Sequence, residues 1–188
     1  MRHKYETRGL VLSRAHGGEA NTFVTLLTSE LGLVHARAQS LRKPGAKLAA
    51  ALVTLAESEV VLVRGKEGWR VTGAVLDENW SVRLGVASRE RVARVSSLLL
   101  RLIAGEAQDS GIFPIMKGFL GALAVLPDDL RDAAEVLVVL RTLAALGLDS
   151  GGIPGEPSAF TLPILAEVTE NRKAYIARIN TGIAASGL

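Results

Sequence analysis

The chain has 188 residues and a mass of 19.9 kDa, enough for one large domain or two small ones. With 48% apolar and 22% charged residues it can bury a core, which excludes a disordered chain. Its net charge of +3 hides an asymmetry: residues 1–72 hold 11 Lys and Arg against 6 Asp and Glu, while residues 73–188 hold 11 against 13. A basic first part joined to a mildly acidic second part points the first toward a polyanion.

Up to about residue 76 the chain reads as short strands. Tyr5 to Arg14 and Asn21 to Ser29 are rich in β-branched residues, and His16-Gly17-Gly18-Glu19 between them has turn composition. After a second turn at Glu30-Leu31-Gly32, Val34 to Gln39 alternates cleanly. Val34, Ala36 and Ala38 face one side, and His35, Arg37 and Gln39 the other. A basic loop, Leu41 to Lys47, leads into an apolar helical turn from Leu48 to Leu52. Glu57 to Arg64 and Trp69 to Leu76 then form a hairpin across Gly65-Lys66-Glu67-Gly68. Five short strands with a helical insertion after the third fit a small Greek-key barrel of the OB type; an SH3-like barrel gives a similar pattern.

Beyond residue 80 the period becomes helical. Ser88 is the expected N-cap of a helix carrying Val92, Val95, Leu99 and Leu102 on one face and ending near Gly105. A second helix is expected from Gly111 to Leu126, with Pro114 in its first turn, and a third from Pro127 to Leu146, closed by Gly147. Asp149 to Pro157, with three glycines and two prolines, reads as a loop. One last helix follows Pro163, with Leu165, Val168, Ile176, Ile179 and Ile183 on one face. Arg172 lies angularly among them and is expected either to reach solvent or to pair with a buried carboxylate. The expected architecture is therefore α+β: a barrel domain over residues 1–78 and an all-helical domain over residues 79–188.

Much chemistry is excluded. Cysteine is absent, which removes disulfides, thiolate catalysis, iron–sulfur clusters and the usual structural zinc sites together. His3, His16 and His35 include no H-x-x-x-H pair to seat a metal, and neither His16 nor His35 has a visible nucleophile to serve. No phosphate-cradling glycine loop, nucleophile elbow or EF-hand is present. Asp128, Asp129, Asp132 and Glu135 read as carboxylates complementing a helix start. The expectation is a protein without catalytic residues, metal or cofactor. No apolar run approaches the ~20 residues of a membrane span. The start of the chain lacks the apolar core of a secretory signal, so a reducing cytoplasm is the expected location.

The candidate surface lies on the third strand and the loop after it. Alternation aims Arg37, with His35 and Gln39, away from the barrel core, and Arg42, Lys43 and Lys47 extend the charge along the loop. Arg14 and Arg70, at or near strand ends, are expected to add to the same groove, and Arg64 and Lys66 are further candidates for DNA contact. OB barrels bind oligonucleotides on this kind of surface, and several phosphate contacts give salt-dependent, sequence-tolerant affinity. Aromatic residues are only 4% of the chain, so binding is expected to be mainly electrostatic, with little base stacking. Arg91, Arg94 and Arg101 share an arc of the first long helix and form a second basic surface. An OB-type RNA-binding or translation-associated module is the alternative reading.

Several segments occur together in register. They are Gly9-Leu10-Val11-Leu12, Gly18-Glu19-Ala20-Asn21, Val24 to Thr28, Gly32, Ala36-Arg37-Ala38 and Leu41 to Leu48. Ala51-Leu52, Val61 to Gly65 and Trp69 to Ala74 continue the series, and Leu140 to Leu148 adds a Leu-Gly step. Over residues 5–76 the chain resembles the N-terminal barrel of the RecO family of bacterial recombination mediators, and its helical half is similar in outline.

The resemblance implies an OB barrel followed by a helical domain, with no enzymatic turnover. It also implies binding of single- and double-stranded DNA, annealing of complementary strands and association with the nucleoid. Implied partners are RecR and single-stranded-DNA-binding protein (SSB), with RecA served indirectly. The chain departs from the family pattern in three places. The four-cysteine zinc site of many members is replaced by Asp149 to Pro157, and the C-terminal region is short. An Ala-Arg-Gly-Ala-Arg run stands here as Ala38-Gln39-Ser40-Leu41-Arg42, which implies a weaker DNA contact at Gln39.

Overall fold

Each alternating run in the first half becomes a strand, because period-two patterning buries one face and wets the other. A computed structural model of the protein describes residues 3–17, 21–39, 48–103 and 111–188. The strands are β1 (Lys4–Gly17), β2 (Asn21–Thr28), β3 (Gly32–Gln39), β4 (Ala56–Gly65) and β5 (Gly68–Asn79). They close into a barrel in the order β1-β2-β3-β5-β4, antiparallel throughout except for a parallel contact between β3 and β5. β1 is long enough to pair with β2 along one stretch and β4 along another. A register shift between Val11 and Ser13 breaks its pairing with β2, and such bulges bend a strand. This is the OB plan.

Val11, Leu26, Val34, Ala36, Val60, Leu62 and Trp69 fill the barrel. Small Ala36 lies opposite Trp69 in the β3–β5 register, which leaves room for the indole. The expected helical turn near Leu48 to Leu52 is a short 3-10 turn, Ala50–Leu52, that seats Leu52 in the core. Ser58 on β4 donates a hydrogen bond of 2.7 Å to its Ala51 carbonyl. A four-residue helix, α1 (Trp80–Arg83), follows β5, and its buried Trp80 donates through the indole to the Glu57 carboxylate at 3.1 Å. The barrel unit runs through Arg83, and a second compact unit begins at Leu84.

That unit contains α2 (Val86–Leu102), α3 (Ile112–Val125), α4 (Asp128–Ala145), α5 (Leu162–Glu170) and α6 (Arg172–Ala185). α4 is central, in contact with α2, α3, α5 and α6. It is accordingly buried around most of its circumference. Two expectations need correction. Gly85, not Ser88, caps α2; Ser88 is buried in the first turn, where its hydroxyl meets the Leu123 carbonyl of α3. The single last helix is two, parted at Asn171, whose backbone leaves the helical region at φ −98° and ψ 13°.

The loop between α4 and α5 is held by arginines. Arg141 of α4 is 3% exposed and donates to the carbonyls of Pro154, Pro157 and Ala159 at 2.8, 3.0 and 2.7 Å. Arg178 of α6 grips the Asp149 carboxylate through Nε and Nη2 and reaches the Gly152 carbonyl. Hydrogen bonding to Arg178 holds the Asp149 carboxyl below the usual carboxylate range, against the opposing effect of burial. A depressed aspartate stabilises the fold above its unfolded value of about 3.9 and loses that contribution as the pH falls through the folded value. Thermal melts should therefore show an acid-labile component below about pH 4. Asp149→Asn should lower the melting temperature at neutral pH and flatten that acid dependence. An unchanged acid profile in the variant would assign the dependence to other carboxylates.

Candidate nucleic-acid interface

The outer face of β3 is set by its alternation. Leu33, Val34, Ala36 and Ala38 are buried, His35 and Gln39 are exposed, and Arg37 is half-buried. Register then decides what stands beside Arg37. Across β2 its partner is Phe23, and across the parallel β5 contact its partner is Arg70. Paired residues share a sheet face, so Phe23, Arg37 and Arg70 form a row on the outside of the barrel.

The β4–β5 hairpin brings further charge to the row. Gly65 and Gly68 face each other with Lys66 and Glu67 at the tip, and Gly68 adopts φ +92°, a conformation that favours glycine. Arg37, Arg64, Lys66, Glu67, Trp69 and Arg70 line a groove of about 680 Å³ here. Four cations thus surround one carboxylate. The Arg37 guanidinium lies 3.4 Å from Glu67, which is 83% exposed. Arg64 is placed over Trp69, 5.2 Å from the ring centre, and Tyr5 meets the same ring edge-on at 5.2 Å. Lys66 and Arg70 have no carboxylate partner among the described residues.

The remaining expected residues fall elsewhere. Arg42, Lys43 and Lys47 lie outside the described residues, as do Gly18 and Glu19 of the first turn. His35 is on the Arg37 face but does not line the groove; its Nδ1 and the Thr25 hydroxyl share a hydrogen bond of 3.1 Å. Arg14 pairs in register with Val24, a core residue, and so belongs to the inward row rather than to the row of Arg37. Its half-buried side chain does not line the groove. Phe23 was missed as a surface residue. It is 49% exposed, and the signal was available in the parity of β2, where Val24 and Leu26 take the core positions.

The arginines of α2 are largely compensated. Arg91 and Arg94 both bind the Glu135 carboxylate of α4, Arg94 at 2.7 and 2.8 Å, and Arg91 also approaches Asp132. Asp132 in turn accepts from Arg172 at 2.7 Å, and hydrogen bonding to Arg172 lowers its pKa. Arg172 therefore pairs with a half-exposed carboxylate, and Asp132 and Glu135 serve interhelical pairs rather than the α4 start. Arg101 is exposed. Among the described residues no three His, Asp or Glu cluster as metal ligands, and no helix is long and apolar enough to cross a membrane. The segment after Gly147 does not fit a zinc site. It has no cysteine, its Asp149 is held by Arg178, and its carbonyls are held by Arg141.

Comparison with known proteins agrees with the barrel. Residues 1–76 match the family model described as Recombination protein O N terminal. A DNA repair protein RecO of Dehalococcoides mccartyi (strain CBDB1) is 39% identical over 94% of this chain and 83% of its own length. The DNA repair protein RecO of Heliobacterium modesticaldum is 33% identical over 76% of this chain and 51% of its own. Another from Dehalococcoides mccartyi is 30% identical over 64% of this chain and 48% of its own. The chain thus spans about half the length of two of these relatives and most of the third. A closed five-stranded OB barrel leading into a helical unit, together with these identities, places the chain in the RecO family.

Proposed function

We propose that the chain is a non-catalytic, DNA-binding recombination mediator that works in the bacterial cytoplasm at the nucleoid. The observation that carries this reading is the groove in which, among the described residues, Arg37, Arg64, Lys66 and Arg70 surround the single carboxylate of Glu67. Cations at that density neutralise phosphates and release condensed counterions, which favours a nucleic-acid backbone without reading its sequence. Arg42, Lys43 and Lys47, which follow β3 in sequence, are three further cations of the same expected surface. With part of its phosphate charge neutralised, a bound strand repels its complement less, and annealing is accelerated. Family membership supports the partners: RecR, SSB on the single strand, and RecA as the protein that profits from the exposed DNA.

The test is binding and annealing of fluorescent complementary strands, bare and SSB-coated, over a salt series. Four phosphate contacts on a single strand give a log–log salt slope of about −3. Annealing should be accelerated and the acceleration should fade with salt. A slope near zero, or no DNA binding, would sink the reading. RNA of matched sequence binding better than DNA would replace it with the RNA-binding alternative.

A further inference from the structure

We propose that Phe23 is a base-stacking platform that gives the basic groove a preference for unpaired strands. This rests on the DNA-binding reading above and deepens it. Phe23 stands directly beside Arg37 on the outer face and in one row with Arg70. At 49% exposure it is the most exposed of the described aromatic residues of the barrel unit. Tyr5 and Trp69, by contrast, are engaged with each other and with Arg64. A large apolar ring left open beside phosphate-binding cations is the arrangement with which single-strand grooves hold successive nucleotides, cation to phosphate and ring to base.

Gly17 gives the ring its orientation. A Cβ on Gly17 would lie 2.3 Å from Phe23 Cε2 and 2.8 Å from Cδ2, so the ring rests against bare backbone at the end of β1. One side is backed and the rest is open to solvent. The platform is therefore pre-organised before any strand arrives, which reduces the ordering cost of binding. A duplex hides its base faces inside the stack, so the ring contributes to unpaired DNA and not to paired DNA.

The experiment uses the full chain and a thymidine oligomer of about 20 nucleotides carrying one 2-aminopurine, against a duplex of equal length. Phe23→Leu should lower single-strand affinity about tenfold, weaken the quenching of 2-aminopurine on binding, and leave duplex affinity within about twofold. Phe23→Trp should retain single-strand affinity. Gly17→Ala, which removes no group but displaces the ring, should lower single-strand affinity in the same direction. Unchanged single-strand affinity in Phe23→Leu, or equal losses on both DNAs, would overturn the platform. An Arg37→Glu/Lys66→Glu variant separates the two levels. If it loses both DNAs while Phe23→Leu loses neither, the groove stands and the platform falls. If it loses neither, the groove itself is wrong and the platform falls with it.

Discussion

Reversing Arg37 and Lys66 together, as Arg37→Glu/Lys66→Glu, should lower affinity for single and double strands alike by at least about a hundredfold at low salt. Each cation contributes a charge-assisted contact of about 1.5–3 kcal/mol, and the new carboxylates repel phosphate in addition. The salt slope should fall by about two contacts, to about −1.5 on single strands. Stability should hardly move, because Lys66 is at an exposed hairpin tip and Arg37 makes a single 3.4 Å pair with a highly exposed partner. Such pairs are worth about 0–1 kcal/mol. Glu67→Gln should act in the opposite sense. Among the described residues Glu67 is the one acidic side chain lining the groove, and on the proposed reading it would compete with phosphate for Arg37. Removing its charge should raise affinity a few-fold without changing the melting temperature. Filter binding over a salt series reads both variants. Weaker binding in Glu67→Gln would mean that the Arg37–Glu67 pair positions the guanidinium rather than masking it.

How much of this groove was legible in the sequence follows from which contacts are local. The alternation of β3 put Arg37 outside and Ala36 inside, since a period of two is a property of neighbouring residues. The β4–β5 hairpin was legible for the same reason, its glycines flanking Lys66-Glu67. Arg70 was expected in the same groove from its place near a strand end, as was Arg14, but the register that sets Arg70 beside Arg37 and turns Arg14 inward was not legible. The meeting of Arg37 with Arg70 depends on a short parallel contact between β3 and β5 that closes the barrel across the residues between them, and no spacing encodes that register. Phe23 was open to the parity argument, yet an aromatic in a strand rich in β-branched residues reads as core until its partner on β3 is known.

The helical unit repeats the lesson. Arg91 and Arg94 stand on an exposed arc of α2, but their neutralising partner, Glu135, lies some 40 residues on, in α4. The break at Asn171 carries no glycine or proline. Asn171 ends α5 by donating its side-chain amide to the Glu167 carbonyl at 3.0 Å, and its own carbonyl starts α6 by accepting from Tyr175 at 3.1 Å. The apolar spacing continues across it, so periodicity alone joined two helices into one.

Arg141→Met should be the most destabilising single change in the helical unit, costing about 3–5 kcal/mol. Arg141 sits on the central helix with its guanidinium over Phe160, 4.9 Å from the ring centre, and has no carboxylate partner among the described residues. Burial lowers its pKa, but a guanidinium remains charged at neutral pH. Its charge is met by carbonyl dipoles of Pro154, Pro157 and Ala159, on a loop that is itself half-buried to exposed, so the buried partner of these bonds is the guanidinium. Methionine fills similar volume and donates nothing. Three charge-assisted hydrogen bonds are then lost, about 1.5–3 kcal/mol each before water takes up part of the carbonyls' demand, and the loop loses its anchor to α4. Gly118 and Gly155 oppose a partial adjustment. A Cβ on Gly118 would meet the Ser158 carbonyl oxygen at 2.3 Å, and Gly155, at φ +72°, has Ile164 and Arg141 around it. The loop is thus fitted to α3, α4 and α5 together, and release should be cooperative. Urea denaturation should show the lost stability, and limited proteolysis should show new cleavage between Asp149 and Thr161. Arg141→Lys should recover only part of it, because one ammonium cannot span carbonyls that two guanidinium nitrogens now reach. Full recovery by lysine would mean that charge alone, and not the geometry of the fork, holds the segment in place.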